Sequence, residues 1–169
     1  MMSPLQTVTV RQARLEDLDV LVRFSAAMAQ ESEGRRLDLG RLRAGTARVF
    51  NDPQRGRYLV AEVLGTPAER ETIVGQLLIT YEWSDWRNAM FWWIQSVYVD
   101  PAWRRRGVYR RMHETVVQEA HASTDVCGIR LYVERENKIA QATYAHVGLK
   151  RSAYEVYEED FVFTKSHGR

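Results

Sequence analysis

The sequence has few residues of the kinds that staple a small chain or carry it into a membrane. Its single cysteine, Cys127, cannot form an internal disulfide, and there are only four prolines. The longest apolar run, 89–94, is far shorter than the roughly 20 residues that cross a bilayer. Residues 1–10 also lack the apolar core of a signal peptide. These absences exclude a disulfide scaffold and a membrane-spanning chain, and we expect a cytoplasmic protein.

An excess of one charge is also missing. The 24 lysines and arginines stand against 22 aspartates and glutamates, and a formal net charge of +2 gives no overall reason to expect nucleic acid or a membrane as partner. No zinc-ligand spacing occurs, so we expect no metal. The 169 residues are 45% hydrophobic, enough for one core without staples. We therefore expect a single domain over 1–169, with its core at about 7–164 and a tail at 165–169.

The hydrophobic periods predict elements in the order βααβββαβαβ. A polar break at 31–37 separates the first two helices, and a loop at 65–67 joins two strands as a hairpin. The pattern implies an α/β fold, a single mixed and mostly antiparallel sheet with helices on both faces. The predicted strands are 7–12, 58–64, 72–81, 89–99, 126–133 and 154–164, and the predicted helices are 16–30, 39–50, 107–122 and 137–147.

A run of arginines, 104–106, links strand 89–99 to the helix that begins at Gly107. The first backbone N–H groups of a helix have no intrahelical partner and, with the helix dipole, favour an anionic ligand. Arginine adds bidentate hydrogen bonds to phosphate oxygens, so the pattern favours a diphosphate over a carboxylate. Two alternatives stay open from the pattern alone: a solvated basic loop, and a nucleic-acid patch shared with residues 110–111.

This turn resembles the signature of the GCN5-related N-acetyltransferases, which is Arg or Gln, two residues, Gly, one residue, then Gly or Ala. Arg104, Gly107 and Tyr109 occupy those positions, and Tyr109 departs from the small residue of the family. The predicted element order also agrees with the family from residue 7 to 163. A second match lies on and after the last predicted helix, where the family's Asn, Ala, Tyr and Gly-aliphatic pair correspond to Asn137, Ala140, Tyr144, Gly148 and Leu149.

The resemblance implies a site for acetyl-coenzyme A between strand 89–99 and its parallel neighbour, which separate in the family. The first of these strands would bind the pantetheine arm through its backbone, in the manner of an added strand. The amides of 104–109 would hold the diphosphate, and Tyr109 must then turn its side chain away from it. The cofactor-binding residues implied are Val97, Tyr98, Val99, Arg104, Arg105, Arg106, Gly107, Val108, Tyr109, Asn137 and Ala140.

Acetyl transfer to an amine needs a base for the amine, a donor for the oxyanion and an acid for the leaving thiolate. The resemblance implies Tyr144 as the acid and a backbone N–H near Val97 as the donor. From the pattern alone, Tyr144 is more typical of an amphipathic core position. The base stays open between a water chain and the following residues, which are also candidates for acceptor binding: Glu31, Glu33, Glu82, Asp85 and Gln95, although Gln95 cannot titrate.

Four tryptophans, at 83, 86, 92 and 93, lie within eleven residues that include the turn before strand 89–99 and the first part of that strand. On alternating strand positions some of them must face opposite sides of the sheet. We expect one side to be core. The other could be an apolar wall for the acceptor, a cage for an ammonium group, or a homodimer contact.

The leading hypothesis is an N-acetyltransferase that transfers the acetyl group of acetyl-coenzyme A to a primary amine of a small molecule or peptide. The alternative is a non-catalytic acyl-coenzyme A sensor, which would keep the binding turn without turnover. Tyr144 favours catalysis. Tyr109 and the absence of a glutamate on strand 89–99 are compatible with the sensor. A nucleic-acid binder comes third, and it would show steep salt dependence.

Overall fold

The structure is a computed structural model that describes residues 7–63 and 72–163. The hairpin loop predicted at 65–67, Thr164 and the expected tail at 165–169 therefore lie outside the described residues. The chain divides into two compact units, 1–132 and 133–169. The single domain expected over the whole chain stays a prediction.

The first unit contains a five-stranded sheet in the order β1-β2-β3-β4-β5. The first three neighbouring pairs are antiparallel, and β4 pairs with β5 in parallel. Its strands are β1 (Val8–Gln12), β2 (Arg57–Val63), β3 (Thr72–Ser84), β4 (Ala89–Val99) and β5 (Val126–Arg130), and its helices are α1 (Leu18–Glu33), α2 (Leu39–Asn51) and α3 (Val108–Ala122).

Each face of this sheet buries its own apolar cluster because successive strand residues alternate between faces. On the α3 side, Leu59 and Leu77 of the sheet pack with Met112 of the helix, and all three are at most 1% exposed. On the other side, Leu21 of α1 packs with Val60 of β2. The α/β fold with a mixed sheet and helices on both faces is thus confirmed.

Helix α1 ends three residues later than its periodicity predicted. It continues through Glu33 and stops at Gly34, whose φ of 62° is the left-handed conformation that commonly ends helices. Glu31 and Glu33 therefore lie in the last turn of α1 and not in the polar break where the sequence placed them. The next helix begins at Leu39 and is capped by Asp38, whose side chain accepts the backbone N–H of Arg41.

The second unit contains helix α4 (Lys138–His146), capped by Asn137, whose side-chain oxygen accepts the Ala140 N–H at 3.0 Å. The strand predicted at 154–164 is wrong for residues 154–163, which form no strand. Its aromatic side chains are exposed, with Tyr157 at 91% and Phe161 at 85%. Alternating hydrophobicity indicated a strand, but a strand also needs a neighbouring strand to pair with, and none of the five strands of the described sheet pairs with residues 154–163. Strand β5 likewise ends at Arg130, short of the predicted 133.

Candidate functional site

Strands β4 and β5 separate halfway along β4. Their pairing runs from Met90 opposite Val126 to Trp93 opposite Arg130. Beyond it, no strand of the described residues pairs with 94–99 on this side. The register with β3 shifts at the same place, which makes Gln95 an extra residue, a β-bulge. Because a bulge increases local twist, it turns the second half of β4 away from β5.

The freed half of β4 presents backbone hydrogen-bonding groups at an open edge. Asp100 N–H donates to the Val74 carbonyl at 2.9 Å, so Asp100 faces β3. Backbone groups of alternate residues point to opposite sides of a strand, and Val97 and Val99 therefore face away from β3. The guanidinium Nε of Arg104 already donates to the Val99 carbonyl at 2.9 Å.

The turn that follows β4 places several backbone N–H groups next to the start of α3. Arg105 and Gly107 both adopt left-handed conformations, with φ of 63° and 79°. The first backbone bond of the helix runs from Arg111 N–H to the Gly107 carbonyl at 3.0 Å. The amides ahead of that bond cluster at the positive end of the helix dipole, an arrangement that suits an anion.

Residues 104–107 of this turn are exposed. The Tyr109 ring packs against the core cluster beneath α3, with its centroid 5.9 Å from that of His113. It is therefore directed into the protein, away from the turn. The Arg106 guanidinium lies 5.0 Å from the centre of the Trp103 ring.

Glu31 is bound by two donors. Its Oε1 accepts the Tyr98 hydroxyl at 2.7 Å, and its Oε2 accepts Arg104 Nη2 at 2.6 Å. The hydrogen bonds from Tyr98 and then Arg104 lower the pKa of Glu31, while burial followed by the contact with Glu31 raises the pKa of Tyr98 to about 12. A carboxylate with a lowered pKa is a weak base, which disfavours Glu31 as the residue that deprotonates an amine.

The other candidate bases lie apart from one another. Glu82 accepts Arg130 Nη1 at 2.7 Å and also the Trp93 indole N–H. Asp85 accepts the backbone N–H of Trp86 in the hairpin turn, at 2.9 Å. Glu33 forms an ion pair with Arg35, whose Nε lies 3.4 Å from its carboxylate.

Gln95 joins a hydrogen-bonded group that the sequence did not reveal. Its Oε1 accepts the Thr80 hydroxyl at 3.2 Å, and its Nε2 donates to the Tyr132 hydroxyl. The Tyr132 ring centre lies 5.7 Å from that of Trp93. Sequence reasoning missed Tyr132 and Arg130, although both alternate along the predicted strand 126–133, a signal that they share a face.

The four tryptophans divide as strand alternation requires. Trp92 packs on the core cluster beneath α3. Trp93 lies on the opposite face, next to Tyr132. Trp83 is 56% exposed, and Trp86, in the hairpin turn, is 86% exposed. One is thus core, Trp93 belongs to the polar and aromatic face, and two are at the surface.

In the second unit, Asn137, Ala140 and Tyr144 follow helical spacing on α4, so they share one side of that helix. The Asn137 side-chain oxygen caps the helix by accepting the backbone N–H of Ala140. Burial raises the pKa of the Tyr144 phenol, which therefore stays protonated at neutral pH. No group of three or more His, Cys, Asp or Glu side chains that could bind a metal occurs in the described part of the chain.

Comparisons with known proteins point to one family. A profile of the acetyltransferase (GNAT) family matches residues 26–149. The crystal structure of a possible acetyltransferase from Clostridium difficile 630 has a TM-score of 0.83 and 37% sequence identity, covering 92% of this chain and 99% of that one. Among curated proteins, no match was found.

Two more distant structures share the fold. An aminoglycoside N-acetyltransferase solved in complex with CoA has a TM-score of 0.72 at 12% identity, over 92% of this chain and 96% of that one. A ribosomal-protein-alanine N-acetyltransferase from Brucella melitensis biovar Abortus 2308 has a TM-score of 0.69 at 14% identity, over 92% and 100%.

The fold and the family match together define an acyltransferase. The chain belongs to the acetyltransferase (GNAT) family, and acetyl transfer is the general activity that this membership supports. In the ranges 7–63 and 72–163, no helix combines the length and the apolar character needed to cross a membrane.

Proposed function

We propose that this protein transfers the acetyl group of acetyl-coenzyme A to a primary amine of a small molecule or peptide, by direct attack of the amine on the thioester. The observation that carries the proposal is the open edge of β4, which leads into the amide-rich turn before α3. An extended arm and an anionic group, joined in one ligand, match that sequence of features.

The residues present fit this co-substrate. Val97 and Val99 offer backbone groups at the open edge to the amides and carbonyls of the pantetheine arm. The amides of 105–109, at the end of the α3 dipole, suit the diphosphate. Asn137 and Ala140 enter the proposed site through the family resemblance alone. When bound, the co-substrate supplies an acetyl group activated as a thioester.

The chain would stabilise the reaction at two atoms. The Val97 N–H, directed to the open edge, would donate to the oxyanion that forms on the acetyl carbonyl, and such a donor contributes about 3 kcal/mol. Tyr144, which like Asn137 and Ala140 enters the proposed site through the family resemblance alone, would give its phenolic proton to the sulfur as the carbon–sulfur bond breaks. The amine nitrogen forms its bond to the acetyl carbon in the attack on the thioester. That nitrogen must then lose a proton, which balances the proton that Tyr144 gives to the sulfur.

We assign two proton transfers to water near Glu82: removal of one proton from the ammonium before attack, and removal of a second from the nitrogen as the amide forms. An alkylammonium has a pKa of about 10.4 and is therefore mostly protonated at neutral pH, so it must lose a proton before its nitrogen can attack the thioester. Glu82 contacts residues of both separating strands, Trp93 on β4 and Arg130 on β5. The adjacent Gln95 and Tyr132 would provide polar contacts to the acceptor.

Transfer is tested with purified protein, acetyl-coenzyme A and a panel of amines that includes amino acids, polyamines, amino sugars and peptide N-termini. Thiol release is followed, after a thermal-shift measurement has established cofactor binding. Coenzyme A at 100 times its dissociation constant should add about 2.7 kcal/mol to apparent stability. We expect thiol release that depends on at least one amine. Binding without amine-dependent release would support the sensor, and no binding would overturn both hypotheses.

A further inference from the structure

The arginine that opens the signature turn does not point at the turn. The Arg104 side chain reaches back to the Val99 carbonyl, before the short helical turn Pro101–Trp103, at 2.9 Å, and to Glu31 at 2.6 Å. Its guanidinium carbon also lies 5.3 Å from the centre of the Tyr98 ring. The planar group therefore contacts the end of β4 and the end of α1 at once.

Glu31 completes a closed set of contacts. One of its oxygens takes Arg104 and the other takes the Tyr98 hydroxyl, at 2.6 and 2.7 Å. Phe24, which lies two turns before Glu31 on the same face of α1, packs on the same Tyr98 ring, with the ring centroids 5.1 Å apart. Three side chains, Glu31, Tyr98 and Arg104, thus join α1, β4 and the turn before α3. Arg104 belongs to that turn, and Glu31 and Tyr98 hold it in place.

An isolated exposed ion pair would contribute little. The Arg104 and Glu31 side chains are 43% and 44% exposed, and such pairs typically give less than about 1 kcal/mol. Here, however, both oxygens of the carboxylate have a donor, and Arg104 has two acceptors and an aromatic ring. Fixed fork geometry of this kind restrains position more than it adds stability.

We propose, resting on the proposed function, that Arg104 is a positioning residue, which Glu31 and Tyr98 hold so that the amides of the following turn face the diphosphate. It does not contact the diphosphate itself. Its Nε restrains the end of β4 and its Nη2 restrains the turn against α1, while the backbone beyond it makes the ligand contacts.

Glu31→Gln separates positioning from direct contact because the two give opposite signs. If Arg104 binds the diphosphate, loss of the carboxylate releases the guanidinium, and coenzyme A binds equally well or more tightly. If Arg104 is a positioning residue, the same change weakens binding. By calorimetry we expect the dissociation constant for coenzyme A to rise about tenfold in Glu31→Gln and in Arg104→Gln, and no further in the double variant.

Arg104→Lys provides a second discrimination. Lysine is a good point-charge partner for phosphate, but it cannot span the Val99 carbonyl and Glu31 as a fork does. We expect it to bind coenzyme A as weakly as Arg104→Gln. Asp19→Asn is the matched control, since it removes another carboxylate of α1 that pairs with an arginine, Arg43, and it should leave the dissociation constant unchanged.

S-Acetylpantetheine, which lacks the diphosphate, distinguishes a misplaced turn from general damage. Its binding should change less than twofold in Glu31→Gln. Equal weakening for both ligands, restoration by lysine, or coenzyme A binding by Glu31→Gln at or above the level of the parent would each overturn the inference. Failure of the unmodified protein to bind coenzyme A would instead overturn the proposed function, so the two failures are distinguishable.

Discussion

At the scale of single residues, the phenol of Tyr144 is the group on which turnover should depend. Burial raises its pKa, so it remains a proton donor throughout the neutral range. Tyr144→Phe should lower kcat by a factor of about 10² to 10⁴, the usual contribution of a general acid, with coenzyme A affinity nearly unchanged. Steady-state kinetics and calorimetry measure the two quantities.

The control for this variant is Tyr157→Phe, which removes a hydroxyl from a 91% exposed side chain of the same unit. It should behave as the parent does. If Tyr144→Phe turns over at the parental rate from pH 6 to 10, Tyr144 has no part in proton transfer.

Residue contacts close in sequence could be anticipated, and distant ones could not. The cap formed by Asn137 is such a local contact, since asparagine is a preferred N-cap residue, although the sequence placed Asn137 in the helix as a cofactor contact. By contrast, Glu31 and Arg104 are 73 residues apart, and only the packing of α1 against β4 brings them together. Nothing in the pattern of either segment indicates that Arg104 contacts a glutamate of α1.

At the scale of elements, the start of α3 should depend on Gly107 for two separable reasons. Its φ of 79° is unfavourable for a residue with a side chain, although no atom lies within 4 Å of the place that a Cβ would occupy. Gly107→Ala should therefore cost about 1 kcal/mol of unfolding free energy, from backbone strain alone. Gly107→Glu adds a negative charge beside the proposed diphosphate and should abolish coenzyme A binding.

The alanine variant serves as the reference for the glutamate variant. Urea unfolding should give both the same stability within about 0.5 kcal/mol, since a Cβ at this exposed position meets no atom within 4 Å. Binding by Gly107→Glu as tight as that of Gly107→Ala would mean that the diphosphate does not lie at this turn.

The regular elements were readable because burial imposes a period on them. Strand β4 and helix α2 begin where their patterns predicted. The bulge at Gln95 was not readable, since one inserted residue changes register without changing composition. Yet the bulge coincides with the separation of β4 and β5, where we place the proposed site. The part of the sheet proposed to bind the co-substrate thus depends on its irregularity, and the periodic part provides the support.

At the scale of the whole molecule, stability in acid should depend on a carboxylate far from the turn. Arg11 of β1 contacts both Asp17 and Glu62, at 2.7 and 2.8 Å, and so joins two strands to the start of α1. Burial would raise the pKa of Asp17, but hydrogen bonds from Arg11 and the Arg14 N–H outweigh it, and the pKa is lowered. A lowered carboxyl pKa means that the folded state binds this proton less readily than the unfolded chain does.

Asp17 therefore stabilises the fold fully above the pKa of the unfolded carboxyl, about 3.9, and this contribution is lost as the pH falls through the lower folded pKa. Asp17→Asn should reduce the free energy of unfolding by about 2 kcal/mol at pH 7, with the difference from the parent shrinking below pH 4. Urea titrations at pH 7, 4 and 3 measure it. Asp19→Asn, at an 81% exposed carboxylate, should show a small difference at every pH. A difference in unfolding free energy between Asp17→Asn and the parent that stayed constant down to pH 3 would contradict this prediction. It would mean that the charge of Asp17 does not link the strands to the helix, because an ionised carboxylate loses its contribution when it is protonated.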